Sequence, residues 1–148
     1  TNIFAGQSSI NYCLEGDVIA AHEEVGEYLN QLIPKNSLIY WENSDSPMPL
    51  LYLNNIEIFP AQLNNKFYFR IGGDKESLLK RGYWNEELSL QWIDQADYIL
   101  LGEEAAKYWE PVLNNNFIGQ FDRLEPTENL IPCRGRTYIH LYKKINNY

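Results

Sequence analysis

A cluster of carboxylate, amide and hydroxyl side chains follows the first strongly apolar segment of the chain. Residues 42–46, ENSDS, come directly after residues 37–41, SLIYW. In an open α/β sheet, ligands bind in the crevice beyond the carboxyl ends of the strands. Glu42 and Asp45 have the best placement for a general acid and a general base. We therefore predict a substrate-binding loop here, and its expected residues are Trp41, Glu42, Asn43, Ser44, Asp45, Arg70 and Asp74.

Two alternative roles for these side chains stay open. Loop acids are ordinarily solvated, because Asp and Glu are seldom buried. The aromatic rings and amides could instead bind carbohydrate by stacking and hydrogen bonding, although the tryptophans fit equally well as core residues. The residues of such a carbohydrate site would be Trp41, Asn43, Asn64, Tyr68 and Trp84.

Complete catalytic and cofactor motifs do not occur in the sequence. There is no Gly-x-Gly-x-x-Gly and no Gly-x-x-x-x-Gly-Lys-Ser/Thr segment. Residues 72–74, GGD, lead into a helix, but the acid at its start would repel phosphate, so we predict a plain turn. Neither histidine has a serine or cysteine at a nucleophile elbow beside it, and His140 alternates with Tyr138 and Tyr142 in a pattern typical of packing. We predict no catalytic residue and no cofactor for this chain.

The two cysteines lie near opposite ends of the chain. Cys13 and Cys133, with His22 and His140, lack the clustered spacing of a zinc site, so we predict no metal site. A Cys13–Cys133 disulfide would contribute on the order of 4–5 kcal/mol in the chain-entropy model and would require an oxidising compartment. Two free thiols are the alternative.

The composition is that of an acidic globular protein. The 148 residues are 45% hydrophobic and 22% charged, with a net charge of −8 and a pI near 4.7. Nucleic-acid binders carry a basic patch, so this charge argues against a nucleic-acid partner. The same charge would be repelled by an anionic lipid surface. The longest apolar stretch, residues 47–53, is too short for a membrane span.

Apolar periodicity predicts alternating helices and strands. Apolar residues recur at three- and four-residue steps behind Asp17, a suitable N-cap, until Pro34 ends the helix. Residues 38–41 are continuously apolar, as in a strand covered on both faces. The predicted helices are 18–32, 75–80, 86–95 and 103–113, with Asp74 and Asn85 as caps, and the predicted strands are 38–41, 56–59, 96–101, 117–124 and 137–144.

This order of elements predicts an α/β fold. We expect a three-layer sandwich with a mainly parallel, Rossmann-like sheet and an antiparallel C-terminal hairpin at one edge. Residues 1–148 would form a single domain, with an irregular lead-in over residues 1–16. Because the chain opens at Thr1 without an initiator Met, we expect a segment of a longer protein or a processed mature end.

An ordered set of structural segments resembles a known family. It comprises residues 32–34 (LIP), 37–41 (SLIYW), 50–53 (LLYL), 58–62 (IFPAQ) and 96–101 (ADYILL). The set resembles the soluble extracytoplasmic C-terminal domain of family 39 membrane glycosyltransferases, which include protein O-mannosyltransferase-like and aminoarabinose-transferase-like enzymes. The resemblance covers most of the chain from Asp17 onward.

The resemblance implies that the parent protein transfers a sugar from a polyprenyl-phosphate donor on the extracytoplasmic side of a membrane. In that family the catalytic acid lies in a loop between early membrane helices, so no catalytic residue carries over to this chain. The implied partners are the transmembrane portion of the same polypeptide and a sugar or lipid-linked sugar, and the isolated domain should be inactive. Two alternatives stay open: a free-standing small α/β nucleotide- or sugar-binding domain or enzyme, and a protein-interaction module.

Overall fold

The computed structural model describes residues 15–42, 48–64, 66–124 and 139–146. Within this part the helices are α1 (Glu15–Leu32), α2 (Lys75–Lys80), α3 (Glu86–Gln95) and α4 (Glu103–Asn116). The strands are β1 (Leu38–Glu42), β2 (Glu57–Ile58), β3 (Phe69–Arg70), β4 (Trp84–Asn85), β5 (Tyr98–Gly102), β6 (Phe121–Arg123) and β7 (Ile139–Lys144). Short 3₁₀ segments occur at Met48–Tyr52, Pro60–Asn64 and Lys66–Tyr68.

Five strands form one mixed, open sheet in the order β2-β1-β5-β7-β6. Strand β1 pairs in parallel with both β2 and β5. Strand β7 pairs antiparallel with both β5 and β6. The mixed α/β fold, with three parallel strands and an antiparallel pair at one edge, is therefore confirmed.

Both faces of this sheet are covered, because successive residues of a strand point to opposite faces. One core joins alternate residues of β1 and β5 to helix α1, and the other joins the intervening residues to helices α3 and α4. The first core includes Val25, Leu29, Ile39, Trp41, Tyr98 and Leu100. The second includes Tyr40, Trp92, Ile99, Leu101, Trp109 and Leu113.

Helix α1 lies unusually close to the 3₁₀ segment Met48–Tyr52. A Cβ atom built on Gly26 would lie 2.3 Å from the Cβ of Tyr52, which is shorter than any tolerable contact. The absence of a side chain at Gly26 therefore permits this approach, which places Leu50 in the same core as Val25 and Leu29.

The caps of α2 and α3 are as predicted. Asp74 accepts a hydrogen bond from the N–H of Ser77 over 3.0 Å, and Asn85 accepts one from the N–H of Leu88 over 3.0 Å. These bonds satisfy backbone donors that the first turn of a helix leaves unpaired. The predicted bounds of both helices are confirmed.

Helix α4 is longer than predicted. It continues through Pro111 to Asn116, past the predicted end near Leu113. Proline removes one backbone N–H donor but its fixed φ is helical, and the burial of Trp109 and Leu113 offsets the missing hydrogen bond. The turn that follows contains Gly119 at φ 71°, so β6 begins later than the predicted residue 117.

A second, two-stranded sheet is not predicted by the sequence pattern. Phe69 of β3 pairs in parallel with Trp84 of β4, and Arg70 pairs with Asn85. Two-residue strands are too short to show any periodicity. The Asn85 amide also donates to the carbonyls of Gly72 and Gly73, each over 3.2 Å, so this buried residue joins the turn to the start of α3.

We predict that Asn85→Asp destabilises the fold although it keeps a capping oxygen for Leu88. The substitution replaces two amide donors by a carboxylate facing the carbonyls of Gly72 and Gly73. We expect the free energy of unfolding to fall by about 1–3 kcal/mol, measured by urea denaturation at neutral pH. Asp74→Asn, at the exposed cap of α2, is the matched control and should change it by less than about 0.5 kcal/mol. Equal effects of the two variants would contradict the joining role of Asn85.

Candidate functional site

Glu42, Leu101 and His140 lie in one row near the carboxyl ends of the parallel strands. Glu42 of β1 pairs with Leu101 of β5, and Leu101 pairs with His140 of β7. Directly paired residues project from the same face of a sheet, which here is the face that α4 covers. Two strand spacings of about 4.8 Å place the backbones of Glu42 and His140 roughly 10 Å apart.

The Glu42 carboxyl group is held by donors from β1 and α4. The Tyr40 hydroxyl donates to Glu42 Oε2 over 2.9 Å, and the Trp109 indole N–H donates to the same oxygen over 2.5 Å. Burial raises the pKa of Glu42, and these two hydrogen bonds act in the opposite direction by favouring the charged form. Burial and the neighbouring Glu42 charge raise the pKa of Tyr40 well above its ordinary value, so Tyr40 remains a donor.

Polar side chains also surround the Tyr40 hydroxyl on its inner side. Gln62 Oε1 accepts a hydrogen bond from the backbone N–H of Trp41 over 2.9 Å. Gln62 and Ser89 both approach the Tyr40 hydroxyl, but neither Gln62 Nε2 nor Ser89 Oγ makes a well-aligned hydrogen bond within the described residues. The Tyr40 hydroxyl therefore lies in a polar layer within the core.

Tyr108 extends the site to the solvent side of α4. Its ring is 52% exposed and lies edge-on to Trp109, with the ring centroids 4.9 Å apart. Partial burial raises the pKa of Tyr108, and the carboxylates of Glu86 and Glu42 raise it further. An exposed aromatic ring therefore lies within the electrostatic influence of two carboxylates.

A second polar network surrounds His140. Arg123 Nη2 lies 2.7 Å from His140 Nδ1. Arginine can only donate, so Nδ1 is the accepting nitrogen and the proton of the neutral ring is on Nε2. That nitrogen lies 3.6 Å from a carboxylate oxygen of Glu103.

Glu110 connects this network to the end of α4. It accepts a hydrogen bond from the Tyr142 hydroxyl, and its Oε1 lies 3.6 Å from Arg123 and 3.7 Å from His140. Burial lowers the pKa of His140, the Arg123 charge lowers it further, and the carboxylates of Glu110 and Glu103 act against both. The imidazole is therefore neutral at pH 7.

A cavity of about 270 Å³ opens beside this second network. Its walls include the rings of Phe117 and Phe121 together with the polar groups of Glu110, Arg123 and Tyr142. Apolar walls with a few convergent polar groups are typical of small-molecule sites.

The structure separates the predicted substrate-binding residues. Trp41 is 3% exposed and lies in the core that contains α1, on the face opposite Glu42. Arg70 donates to the carbonyls of Phe67 and Phe69, and Asp74 caps α2. Among the described residues, no hydrogen bond or ion pair joins Glu42 to either Arg70 or Asp74.

The remaining predicted residues lie outside the described part of the chain. These are Asn43, Ser44 and Asp45 of the binding loop and the two candidate disulfide residues, Cys13 and Cys133. Two of the rings proposed to stack on carbohydrate, those of Trp41 and Trp84, are buried in the core. These two tryptophans are therefore core residues, the alternative role given for them in the sequence analysis.

Apart from Glu42, sequence reasoning does not identify the residues that form the two networks. The alternation around His140 indicates packing, and no motif marks Tyr40, Trp109, Glu103, Glu110 or Arg123 as site residues. One signal is present in the sequence: Glu103 and Glu110 are seven residues apart, two helical turns, and so share one face of α4.

Among the described residues, no group of three or more His, Cys, Asp and Glu side chains is arranged to hold a metal ion. No helix in residues 15–42, 48–64, 66–124 or 139–146 combines the length and apolarity needed to cross a membrane.

We predict that Glu42→Gln stabilises the protein progressively as the pH rises. The folded pKa of Glu42 is raised above the unfolded value of about 4.3, so the folded state binds its proton more tightly. The wild type therefore loses stability as the pH rises from the unfolded pKa of Glu42 to its higher folded pKa. Glutamine does not titrate, so the variant avoids this loss, and its side-chain oxygen still accepts hydrogen bonds from Tyr40 and Trp109. Urea unfolding at a series of pH values measures the difference.

Glu57→Gln, at an exposed position of β2, is the control for Glu42→Gln and should show no such trend. A stability difference between Glu42→Gln and wild type that stays constant with pH would contradict the raised pKa.

We predict that the imidazole of His140 titrates below the ordinary value of about 6.5. Stability should accordingly fall as pH drops below about 6.5, because the unfolded chain binds a proton that folded His140 does not. Arg123→Gln removes the positive charge that lowers the pKa of His140 and leaves the carboxylates of Glu103 and Glu110 in place. The midpoint of the His140 titration should therefore rise in this variant. NMR titration of the imidazole resonances measures both midpoints, with Lys143→Gln on the same strand as control. A wild-type midpoint at or above about 6.5 would contradict this description of the network.

Comparisons with known proteins supply no assignment for either network. No protein-family model matches the chain, and neither a curated protein nor a solved structure matches it.

Proposed function

We propose that this chain is an accessory, non-catalytic domain of a polytopic membrane glycosyltransferase that uses a polyprenyl-phosphate sugar donor. The proposal rests on the resemblance to family 39. Under it, the domain lies on the extracytoplasmic side of the membrane, and its partner is the transmembrane portion of the same polypeptide.

One observation carries the proposal: the segments that bear the resemblance perform structural tasks. Residues 37–41 and 96–101 contribute the two central parallel strands. Within residues 58–62, Phe59 stacks on Trp92 with ring centroids 5.0 Å apart, and Gln62 binds the backbone of β1. A resemblance carried by strand and core residues supports a common fold but not a common active site. Under this proposal, the catalytic residues of the parent transferase lie in another part of the polypeptide.

We infer a Rossmann-like arrangement from the parallel strands β2, β1 and β5, with α1 packed on one face and α3 and α4 on the other.

The chemistry of the site supports an accessory role. The Glu42 carboxyl group is occupied by two donors, and Glu110 is occupied by Tyr142 and Arg123. Carboxyl groups held in this way are poorly suited to nucleophilic attack, which needs an available nucleophile with an adjacent base. The surface proposed to contact acceptor or sugar comprises Glu42 and the loop residues Asn43, Ser44 and Asp45.

The test compares the full-length polypeptide in membranes with the purified 148-residue chain. Membranes should transfer labelled mannose or aminoarabinose from the polyprenyl-phosphate donor, and the isolated chain should transfer neither. In the full-length protein, Glu42→Gln combined with Asp45→Asn should lower the transfer rate about tenfold, because a bound sugar is oriented less well. Glu57→Gln, an exposed acid outside this surface, should leave the rate unchanged.

Three outcomes would contradict the proposal. They are turnover by the isolated chain, absence of transfer by the membranes, and a reading frame that starts immediately before Thr1 without membrane-spanning segments. Unchanged transfer by the double variant would remove the binding surface from the proposal while leaving the parent activity in place.

The cavity beside Arg123 favours one alternative, a free-standing binding domain for a nucleotide or sugar. Its volume of about 270 Å³ and its mixed aromatic and polar walls suit a small ligand. Calorimetric titration of the isolated chain with ATP and with mannose distinguishes the two proposals. Binding that Arg123→Gln abolishes, together with inactive full-length membranes, would favour this alternative.

A further inference from the structure

Exposed apolar side chains are concentrated in one short part of the chain. Of the nine large apolar side chains that are exposed among the described residues, five fall within residues 63–83, which we call the basic lobe. They are Leu63 (50% exposed), Phe67 (72%), Tyr68 (39%), Ile71 (101%) and Leu79 (43%). Monomeric soluble proteins seldom expose so many large apolar groups together without an interaction to cover them.

Charge in the basic lobe has the opposite sign to the rest of the protein. The lobe contains five Lys and Arg residues and two acids, a net charge of +3, whereas the remaining residues carry −11. Lys75 is paired with Glu87 over 3.1 Å. Arg70, Lys80 and Arg81 form no ion pair with any described residue, and all three are exposed.

The local fold holds these groups in a defined arrangement. The ring of Tyr68 stacks on that of Tyr83 with centroids 5.2 Å apart, and the Arg70 guanidinium lies 4.3 Å from the centroid of Tyr83. Arg70 also donates to the carbonyl of Phe67. The pairing of β3 with β4 therefore fixes cationic and aromatic groups side by side.

Ile71 occupies the tip of this arrangement. It is fully exposed and precedes Gly72 and Gly73, which have φ values of 72° and 89°. Such positive φ values favour glycine, and they turn the chain sharply after this exposed apolar residue. The tip thus presents an apolar side chain outward beside cationic groups.

We propose that the basic lobe is a docking surface for an anionic lipid bilayer. Phe67 and Ile71 enter the boundary between headgroups and acyl chains, and Arg70, Lys80 and Arg81 contact the lipid phosphates. Apolar residues interspersed with cations are the composition that binds membrane interfaces. The proposal does not depend on the glycosyltransferase assignment and would hold for a free-standing protein.

The charge distribution favours a lipid surface over other occupants. A net charge of −8 predicts repulsion from anionic lipid when the chain is treated as uniform, but the lobe itself is positive. An anionic surface therefore attracts the lobe and repels the remainder, which fixes the orientation of the bound molecule within about one Debye length. An acidic protein partner would be matched by the cations but would also need an apolar patch placed to cover Phe67 and Ile71, whereas a bilayer interface supplies phosphates and an apolar layer together.

The test measures partition of the 148-residue chain onto vesicles by sedimentation. Vesicles of phosphatidylcholine with about one third phosphatidylglycerol should bind it, pure phosphatidylcholine should bind it far less, and salt should weaken binding. Phe67→Ser with Ile71→Ser should lower the partition coefficient about tenfold or more. Lys80→Gln and Arg81→Gln should each lower it about fivefold.

Leu51→Ser with Ile118→Ser is the matched control, because these residues are 71% and 77% exposed but lie outside the lobe. It should bind like the wild type. Circular dichroism and urea unfolding establish that every variant is folded, as expected for exposed positions. The proposal is overturned if the wild type ignores the anionic vesicles, or if the control pair weakens binding as much as the lobe pair does.

Discussion

Strand β5 is the element on which both cores and the candidate site depend. It is buried at all five positions, and it pairs with β1 on one side and with β7 on the other. Its backbone groups are thereby satisfied within the sheet, and its two faces are available only to apolar side chains. Polar residues are consequently found at its ends: Asp97, before the strand, accepts from the N–H of Leu38 over 2.8 Å, and Glu103, after it, faces His140.

The same strand explains why two polar networks face one helix. Because β5 is parallel to β1 and antiparallel to β7, residues distant in sequence reach the same end of the sheet, where α4 begins. The helix then supplies Trp109 to Glu42 and Glu110 to Tyr142. Burial of these carboxyl groups is tolerable because each one has donors from two different elements. The result is a set of acceptors and donors whose positions are fixed by one another.

Local signals allow much of the fold to be predicted from the sequence. The caps Asp74 and Asn85 define the starts of two helices, and continuous apolar segments identify β1 and β5. The site is harder to predict, because it depends on which strands pair and in which register. Alternation alone sends the adjacent residues Trp41 and Glu42 to opposite faces, but only the pairing of β1, β5 and β7 places Glu42, Leu101 and His140 in one row. The pairing of Arg123 with His140 depends on β6 lying beside β7, and no short segment carries that information. The two-residue strands β3 and β4 are likewise defined by each other rather than by their own composition.

The small size of the β3–β4 pairing has an energetic consequence for the basic lobe. Helix α2 buries none of its residues, and the ladder consists of two residue pairs. Detachment of α2 therefore exposes little apolar area and costs less than unfolding of the five-stranded sheet, whereas opening of β4 would also expose Trp84, which is 1% exposed. Substitutions on α2 can therefore accumulate at a small cost to global stability.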